Sequence, residues 1–538
     1  MGNGSREFVL SGDARAGTDL ELLRGSEHDG NGFSWADGGQ VSARTASIPA
    51  GPPAGTFRRT WLDTFDWRLY RAGLTLELIS QARQPGRLVL TGRDGAVLAA
   101  EAPAAAVSWP ALLTALPAGP LRELLEPVAG VRALMPVARA ISKVQELRAL
   151  NDDDKTIARL AVDRMSVTFP ARAQAQARLS LAPVRGYQGQ ADKLGRELAG
   201  LPGISAGRGT ALDTALAAAG CRAGEIPGKA AALRLAPGRP AAAALAAILT
   251  SQLDSLEANV PGTIRDVDTE FLHDLRIAVR RTRSALKLCG AVLPDGLAAG
   301  FRPEFRWLGQ LTTPTRDLDV YLLGFDEMAA GLVGASPDEL QPFRDYLAAS
   351  RRTAQRQLGR ALRSPRFTRL GHDWRAVLAD VPPARKRPSV GQLAEAKIAA
   401  ACRKALRSGQ LITAASPPES LHDLRKRCKE LRYLVEMFSS LYDPAQRWQA
   451  VRELKALQDC LGEFQDAEVQ RAEIRAFAEQ MLAARSAPAA TLLAMGEIAA
   501  GLALRQRRAR STFDDRFADF ASPASQARLA ALARTTVA

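Results

Sequence analysis

An internal repeat at an offset of 149 residues limits most strongly how this chain can fold. Residues 271–276 (FLHDLR) return as residues 420–425 (SLHDLR). The offset persists without a gap into a second motif, where it pairs Leu308, Asp317, Asp319 and Val320 with Leu457, Asp466, Glu468 and Val469. A register kept over about 50 residues predicts duplication of a unit of about 150 residues. We expect the two copies to pack around a pseudo-twofold axis.

The apolar pattern differs between the two parts of the chain. From residue 241 onward, apolar residues recur at spacings of three and four with short breaks, which predicts eight to ten helices in an all-α bundle. Before residue 170, runs such as 87–91 (RLVLT) and 157–162 (IARLAV) lie between Gly and Asp turn signals, as short strands do. The sequence therefore predicts an α+β multidomain chain, in which the all-α bundle carries the internal twofold repeat.

Domain boundaries follow from composition. Residues 195–240 are rich in Ala, Gly and Pro, which interrupt every long apolar period, so this segment is predicted to be a linker. The predicted divisions are residues 1–194, the linker 195–240, and a bundle at 241–525 with repeat halves at about 241–385 and 390–525.

Charge and composition restrict the class of partner. Lys and Arg total 72 against 57 Asp and Glu, a net charge of +15, which favours a polyanion such as nucleic acid, anionic lipid or polyphosphate. The longest notable apolar run, 241–249, is too short to span a membrane, so no membrane partner is expected. Five cysteines without CxxC spacing argue against disulfides and zinc, and favour a cytoplasmic location.

The positive charge is collected on helical stripes. On a helical wheel, the first repeat copy places its basic residues and a histidine within an arc of about 80°. The members of this stripe are His273, Arg276, Arg280, Arg283 and Lys287. The second copy gives His422, Arg425, Lys429 and Arg432, with Glu436 standing where the first copy has Lys287. The opposite sides of both helices are apolar, as expected of a core.

Two further basic clusters follow the same offset. The third stripe consists of Arg352, Arg356, Arg360 and Arg363. A fourth cluster supplies Arg505 and Arg508 as candidate ligands, and Arg505 lies 149 residues after Arg356. Solvated faces neutralised by acids of neighbouring helices are one interpretation of such stripes. Their repetition favours the other, a binding surface for a polyanion.

The acidic pairs in the second motif invite a metal or acid/base interpretation. On a helix, residues two apart point about 160° away from each other, so neither Asp317 with Asp319 nor Asp466 with Glu468 forms a joint ligand face. We expect these carboxylates to anchor arginines or cap helices. No catalytic residue, metal site or cofactor is predicted, because no Ser/His/Asp or Cys/His arrangement is present.

These residues resemble a known family. The runs 272–288 (LHDLRIAVRRTRSALKL) with 315–320 (TRDLDV), and 421–438 (LHDLRKRCKELRYLVEMF) with 461–469 (LGEFQDAEV), are similar to the two halves of a CHAD domain. The resemblance implies an α-helical bundle that binds inorganic polyphosphate along a basic central groove. It also implies that the histidines and stripe bases above are the ligand contacts. Thr312-Thr313 departs from the Leu-Gly usual in the family.

The N-terminal part resembles a CYTH domain, a triphosphate-binding antiparallel β-barrel. The similarity is carried by residues 60–76 (TWLDTFDWRLYRAGLTL) and by 159–167. The resemblance implies a metal site on an ExExK strand, of which only Glu7 is kept here, and Glu77 and Ile79 stand where arginines are usual. One carboxylate cannot rebuild a two-carboxylate metal site, so we expect a degenerate barrel without triphosphatase activity.

The resulting functional prediction is a cytoplasmic protein that binds inorganic polyphosphate and associates with polyphosphate granules. One alternative is an active metal-dependent triphosphatase whose site is completed by carboxylates such as Glu21 or Asp163. A second alternative is nonspecific nucleic-acid binding by the same basic surface. The stripes lack interleaved aromatic residues apart from Tyr433, which argues against single-stranded nucleic acid.

Overall fold

The computed structural model describes residues 6–10, 34–37, 55–82, 86–102, 107–207, 209–226, 228, 233–382 and 388–534. The chain divides into two compact units, Met1–Ile226 and Pro227–Ala538. This division lies within the segment predicted as a linker. Residues 195–226 belong to the first unit, where they supply the end of one helix, a short strand and a further helix.

The first unit is built on one antiparallel sheet. In the described residues its strands are β1 (Arg6–Leu10), β2 (Ser34–Asp37), β3 (Gly55–Asp63), β4 (Thr75–Ser80), β5 (Arg87–Thr91), β6 (Val97–Glu101), β7 (Met135–Leu150), β8 (Thr156–Phe169), β9 (Ala173–Gln174), β10 (Ala177–Pro183) and β11 (Ile204–Ala206). Their order is β11-β1-β10-β8-β7-β3-β4-β5-β6, with β2 on β7 and β9 on β8. The strands predicted at 87–91 and 157–162 are confirmed.

The prediction of a closed barrel is wrong for the described part of the chain. The edge strands β6 and β11 do not pair with each other, so the sheet is open. Instead, the β6 edge is covered by a helix, whose first turn donates from Leu121 N to Glu101 Oε1 at 3.0 Å. The other edge strand, β11, is three residues long. A short edge strand and a covered edge leave few backbone N–H and C=O groups open to another strand, so the sheet need not close into a barrel.

In the described part of the first unit, four α-helices accompany the sheet. They are α1 (Arg68–Arg71), α2 (Pro120–Ala129), α3 (Gln188–Gly200) and α4 (Ala211–Ala218). Successive residues of a strand point to opposite faces of the sheet. Leu62 therefore packs against α2, whereas its neighbour Trp61 packs against Leu212 and Leu216 of α4. Helix α4 therefore covers the sheet face on which Trp61 lies.

The second unit is helical throughout its described residues. Its α-helices are α5 (Ala241–Arg265), α6 (Thr269–Cys289), α7 (Leu297–Leu323), α8 (Phe325–Ala330), α9 (Gln341–Leu362), α10 (Pro365–Ala379), α11 (Val390–Gln410), α12 (Pro418–Met437), α13 (Pro444–Ala483), α14 (Ala489–Ser511), α15 (Phe513–Ala521) and α16 (Pro523–Arg534). These are more helices than the eight to ten predicted, because short helices such as α8 lie between the long ones. In the described part of the chain, no helix is both long and apolar enough to cross a membrane.

Helix bounds agree with the offset found in the sequence. Helix α5 begins at Ala241 and α11 at Val390, while α6 begins at Thr269 and α12 at Pro418. Both pairs of starts are 149 residues apart. This agreement supports the duplication, which stays a prediction.

The apolar sides of α6 and α12 form part of the core, as predicted. The buried residues are Leu275, Val279, Leu286 and Cys289 on α6, and Leu424, Cys428, Leu431 and Val435 on α12. Burial raises the pKa of the Cys289 and Cys428 thiols to about 12, so both stay protonated at neutral pH. With one side of each helix fixed in the core, the basic side of each is turned away from it.

Candidate anion-binding surface

Helices α6 and α12 pack against each other in opposite directions. Lys287 Nζ lies 2.7 Å from Glu430 Oε1, and Arg281 Nη2 lies 3.7 Å from Glu436 Oε2. Residue numbers rise along α6 as they fall along α12, which makes the pair antiparallel. This packing brings the two stripes together as one surface, the α6–α12 basic face, which consists of His273, Arg276, Arg280, Arg283, His422, Arg425, Lys429 and Arg432.

The centre of this face joins the two repeat copies. The Arg280 guanidinium lies 5.8 Å from the centre of the Tyr433 ring, a cation–π contact between α6 and α12. Lys429 is half-buried one turn before Tyr433, and in the described residues it has no ion-pair partner. Burial is the main cause that lowers the pKa of Lys429 to about 8; repulsion from Arg425 and Arg280 adds to this effect, and attraction to Asp466 opposes it. Lys429 is thus a cation that the ligand-free α6–α12 basic face keeps charged at an energetic cost.

On α6, Arg276 is held by neutral groups. Its Nη1 donates to Thr312 Oγ1 at 3.0 Å and to Thr313 Oγ1 at 2.8 Å. The two threonines that depart from the family pattern are therefore the acceptors that orient this guanidinium. Burial and neighbouring cations lower the pKa of Arg276, but arginine remains charged at any physiological pH. Its positive charge is oriented by hydroxyls without being neutralised by them.

A glycine makes room for the next arginine of the stripe. A Cβ atom at Gly309 would lie 2.6 Å from Arg283 Nη1, so only glycine allows the guanidinium to rest against α7 in this position. Arg283 itself is exposed and has no ion-pair partner among the described residues.

The two histidines have different surroundings. His273 is half-buried, and burial followed by the charge of Arg316 lowers its pKa, so the ring is neutral at pH 7. It makes no hydrogen bond in the described part of the chain. His422 Nδ1, in contrast, is hydrogen-bonded to Gln465 Oε1. The structure places both histidines on the α6–α12 basic face but gives a side-chain partner to the second alone.

Several predicted ligand residues already have carboxylate partners. Arg425 Nη2 donates to Asp466 Oδ1 at 2.8 Å, and Arg432 Nε donates to Glu436 Oε1 at 2.6 Å. Lys287 is paired with Glu430, as described above. For these three cations an incoming anion would compete with an acid of the protein itself.

The remaining predicted ligands lie on flanking helices. Helix α9 packs mainly on α7 and α5, and α14 packs mainly on α13. The stripe on α9 consists of four exposed arginines without an ion pair in the described residues: Arg352, Arg356, Arg360 and Arg363. On α14, Arg505 Nε is 3.9 Å from Glu463 Oε1 and Arg508 is exposed. Within the described residues, no hydrogen bond or ion pair joins these arginines to the α6–α12 basic face.

The acidic motif binds arginines. The buried Asp319 accepts from Arg351 Nε at 2.8 Å, and Asp466 accepts from Arg425. Burial raises the pKa of Asp319, against the opposing effect of Arg351. Arg351 also donates from Nη2 to Asp266 Oδ1 at 2.6 Å, which ties α9 to the end of α5. Two of the four acids, Asp319 and Asp466, therefore anchor arginines as expected; Asp317 and Glu468 have no ion pair with an arginine within the described residues.

Sequence reasoning missed Arg316. This half-buried residue of α7 interacts electrostatically with His273 and Arg276, yet within the described residues it forms no hydrogen bond or ion pair. Arg316 belongs to the motif at residues 315–320 (TRDLDV), of which only the two acids were considered as functional residues. Its position three and four residues after Thr313 and Thr312 places it on the same side of α7, which is the signal that could have identified it.

In the first unit, two buried arginines are paired with carboxylates. Arg59 donates from Nη1 to Asp163 Oδ2 at 2.7 Å and from Nη2 to Glu77 Oε2 at 2.8 Å. Arg178 is hydrogen-bonded to Glu7 and donates to Thr214 Oγ1 of α4 at 2.7 Å. Two acids considered for a metal site, Glu7 and Asp163, are therefore bound to arginines.

The other candidate acid, Glu21, lies outside the described residues. Across the residues that the structure does describe, no group of three or more His, Cys, Asp or Glu side chains is arranged to hold a metal ion.

Comparison with known proteins identifies the helical region. The CHAD-domain family model matches residues 247–475. Among solved structures, the chain is similar to the CHAD domain of the plant Ricinus communis, with 25% identity over 54% of this chain and 96% of that chain and a TM-score of 0.46. It is also similar to PptA from Streptomyces chartreusis, with 19% identity over 52% of this chain and 99% of that chain and a TM-score of 0.40. No curated protein matches the chain.

The matched segment contains both helices of the α6–α12 basic face and both acidic motifs that pack against them. Residues 247–475 of this chain form a CHAD domain.

Proposed function

We propose that this protein binds inorganic polyphosphate across the α6–α12 basic face. CHAD domains are a family associated with polyphosphate binding, and the match covers this surface. The observation that carries the proposal is the antiparallel packing of two basic helices, which gathers Arg276, Arg280 and Lys429 without a matching set of carboxylates. A linear polyanion is the ligand that this arrangement of charges fits best.

The energetics favour a bound polyanion. In the ligand-free protein, burial and, second to it, repulsion from Arg425 and Arg280 disfavour the charged form of Lys429 and lower its pKa. A chain of phosphates relieves this repulsion and releases counterions from both partners, so affinity should fall steeply as salt increases. Arginines contribute most strongly, because the planar guanidinium matches two phosphate oxygens at once.

The proposed ligand contacts extend beyond the central face. In addition to its eight residues, they include Lys287 on α6 and the flanking arginines of α9 and α14. These flanking residues are Arg352, Arg356, Arg360, Arg363, Arg505 and Arg508. A set of basic residues distributed over four helices suits a ligand with many repeated charges. It also supports association with cytoplasmic polyphosphate granules, where such chains are long.

Nucleic acid is the competing ligand, and the surroundings of Tyr433 favour polyphosphate. Tyr433 is the one aromatic residue among the stripes and Arg280 lies over one face of its ring, so the surface lacks the series of aromatic rings on which successive bases stack. The test is competition between duplex DNA and long-chain polyphosphate at equal phosphate concentration and ionic strength. We expect DNA to leave the polyphosphate complex intact. Displacement of polyphosphate by DNA would contradict the proposal.

For the first unit we propose a role without triphosphatase activity. The support is the internal pairing of its buried charges, since Glu7 is bound to Arg178, and Glu77 and Asp163 are bound to Arg59. Phosphate release from tripolyphosphate should remain at background with magnesium or manganese. Turnover that disappears in Glu7→Gln would instead establish the enzymatic alternative.

A further inference from the structure

The two halves of the α6–α12 basic face differ in how many of their donors are already satisfied. In the second half, His422 is bonded to Gln465, Arg425 to Asp466 and Arg432 to Glu436. In the first half, His273 and Arg316 make no hydrogen bond within the described residues. Arg276 is bound there to hydroxyls. At the histidine end of each copy, the first half therefore has donors without a charged acceptor where the second half has paired ones, although Lys429 and Arg425 Nε of the second half also lack a partner within the described residues.

The difference is concentrated at one pair of corresponding positions. Gln465 and Arg316 are 149 residues apart, and each lies beside the histidine of its own half. Gln465 Oε1 accepts from His422 Nδ1, and Gln465 Nε2 donates to Glu468 Oε2 at 3.3 Å, so both ends of the amide are hydrogen-bonded. An arginine has no acceptor atom. Arg316 consequently leaves the His273 ring without the partner that Gln465 gives to His422.

Acids near Arg316 do not replace the missing acceptor. Asp319 is engaged by Arg351, and Asp317 interacts with Arg276 and Arg316 only through longer-range attraction. Glu270 and Asp274 act on His273 in the same way. The Nη1 atom of Arg316 is buried and lacks an acceptor. A buried guanidinium N–H without an acceptor is costly, and an anion that draws the half-buried guanidinium of Arg316 toward it offsets that cost.

We propose that polyphosphate is held unequally, with one phosphate group bound tightly between His273, Arg276 and Arg316 and the second half contacting the chain more weakly. This inference rests on the proposed function and specifies its strongest subsite. The neutral His273 ring donates one hydrogen bond to a phosphate oxygen, and the two guanidinium groups supply the charge. In the second half, a phosphate must first displace Asp466 from Arg425.

Reciprocal substitutions in the full chain test the inequality. Arg316→Gln gives the first half the residue of the second, and Gln465→Arg does the reverse. With long-chain polyphosphate as the probe, Arg316→Gln should weaken binding about tenfold, the effect of losing one charge-assisted contact. It should also reduce the salt dependence by about 0.7 in the slope of log affinity against log salt. Gln465→Arg should strengthen binding.

A second matched pair keeps the test independent of how Arg316 variants fold. Arg276→Gln should weaken binding more than Arg425→Gln, because Arg425 is already neutralised by Asp466. Equal losses from these two variants, or an unchanged affinity in folded Arg316→Gln, would overturn the inequality while leaving polyphosphate binding intact. A wild-type chain that fails to bind polyphosphate would instead overturn the proposed function.

Discussion

Arg280 and Lys429 occupy corresponding positions of the two repeat copies and interact across the junction of α6 and α12. Arg280 lies against Tyr433, one turn from Lys429, and its charge contributes to the lowered pKa of that lysine. Repulsion between cations is normally avoided in a folded protein. Its presence at the junction supports the proposal that this surface binds an anionic ligand.

The lowered pKa of Lys429 predicts a pH-dependent affinity. With a pKa of about 8 in the free protein, Lys429 is mostly charged at pH 7 and mostly neutral at pH 9.5. Bound phosphates favour the charged form, so binding takes up a proton above pH 8 and affinity should fall as pH rises. We expect a loss of about tenfold between pH 7 and 9.5 in salt-matched titrations.

Lys429→Arg is the control for this titration. Arginine stays charged over the whole range, so the variant should lose most of the pH dependence. Titration of the polyphosphate ends affects both proteins equally. The same decline in wild type and variant would show that Lys429 does not bind the ligand.

Removal of Glu430 should strengthen polyphosphate binding. Glu430 neutralises Lys287, whose side chain is 68% exposed and therefore accessible to a ligand. Glu430→Gln frees this lysine, and we expect an affinity gain of about threefold, as for exposed charge pairs. Glu304→Gln is the matched control because it frees Arg366 on α10 instead. An equal gain in both variants would point to net charge alone as the cause.

The stripes show what the sequence could and could not reveal. The spacing of His273, Arg276 and Arg280 correctly placed them on one side of a helix, opposite a buried apolar side. The pairing of Lys287 with Glu430 depends on which helices pack together, and spacing along one helix contains no information about that. Arg316 was missed for a related reason. The corresponding residue of the second copy is Gln465, so the repeat does not identify a basic residue at this position.

The first unit shows the same limit for strands. Apolar runs and turn signals predicted β5 and β8 correctly. Closure of the sheet is a property of its two edges, β6 and β11, which are far apart in sequence. Nothing in the local pattern of either strand shows whether it pairs with the other or is covered.

Arg59 should be important for the stability of the first unit. Arg59→Met leaves the buried carboxylates of Glu77 and Asp163 without their partner. We expect the free energy of unfolding of this unit to fall by about 3–5 kcal/mol in denaturant titrations. Arg58→Met, at an exposed neighbouring position, should change it by less than about 0.5 kcal/mol. Similar losses in both variants would contradict the role given to the buried network.

The central claim is that polyphosphate binds across the α6–α12 basic face. The most direct measurement is the affinity of the double variant Arg280→Glu/Lys429→Glu for long-chain polyphosphate. Its control, Arg369→Glu/Lys404→Glu, changes the net charge equally at exposed positions on α10 and α11. We expect the first variant to lose binding while keeping its helical content and cooperative unfolding, and the control to bind nearly as well as wild type. Wild-type affinity in Arg280→Glu/Lys429→Glu would contradict the account.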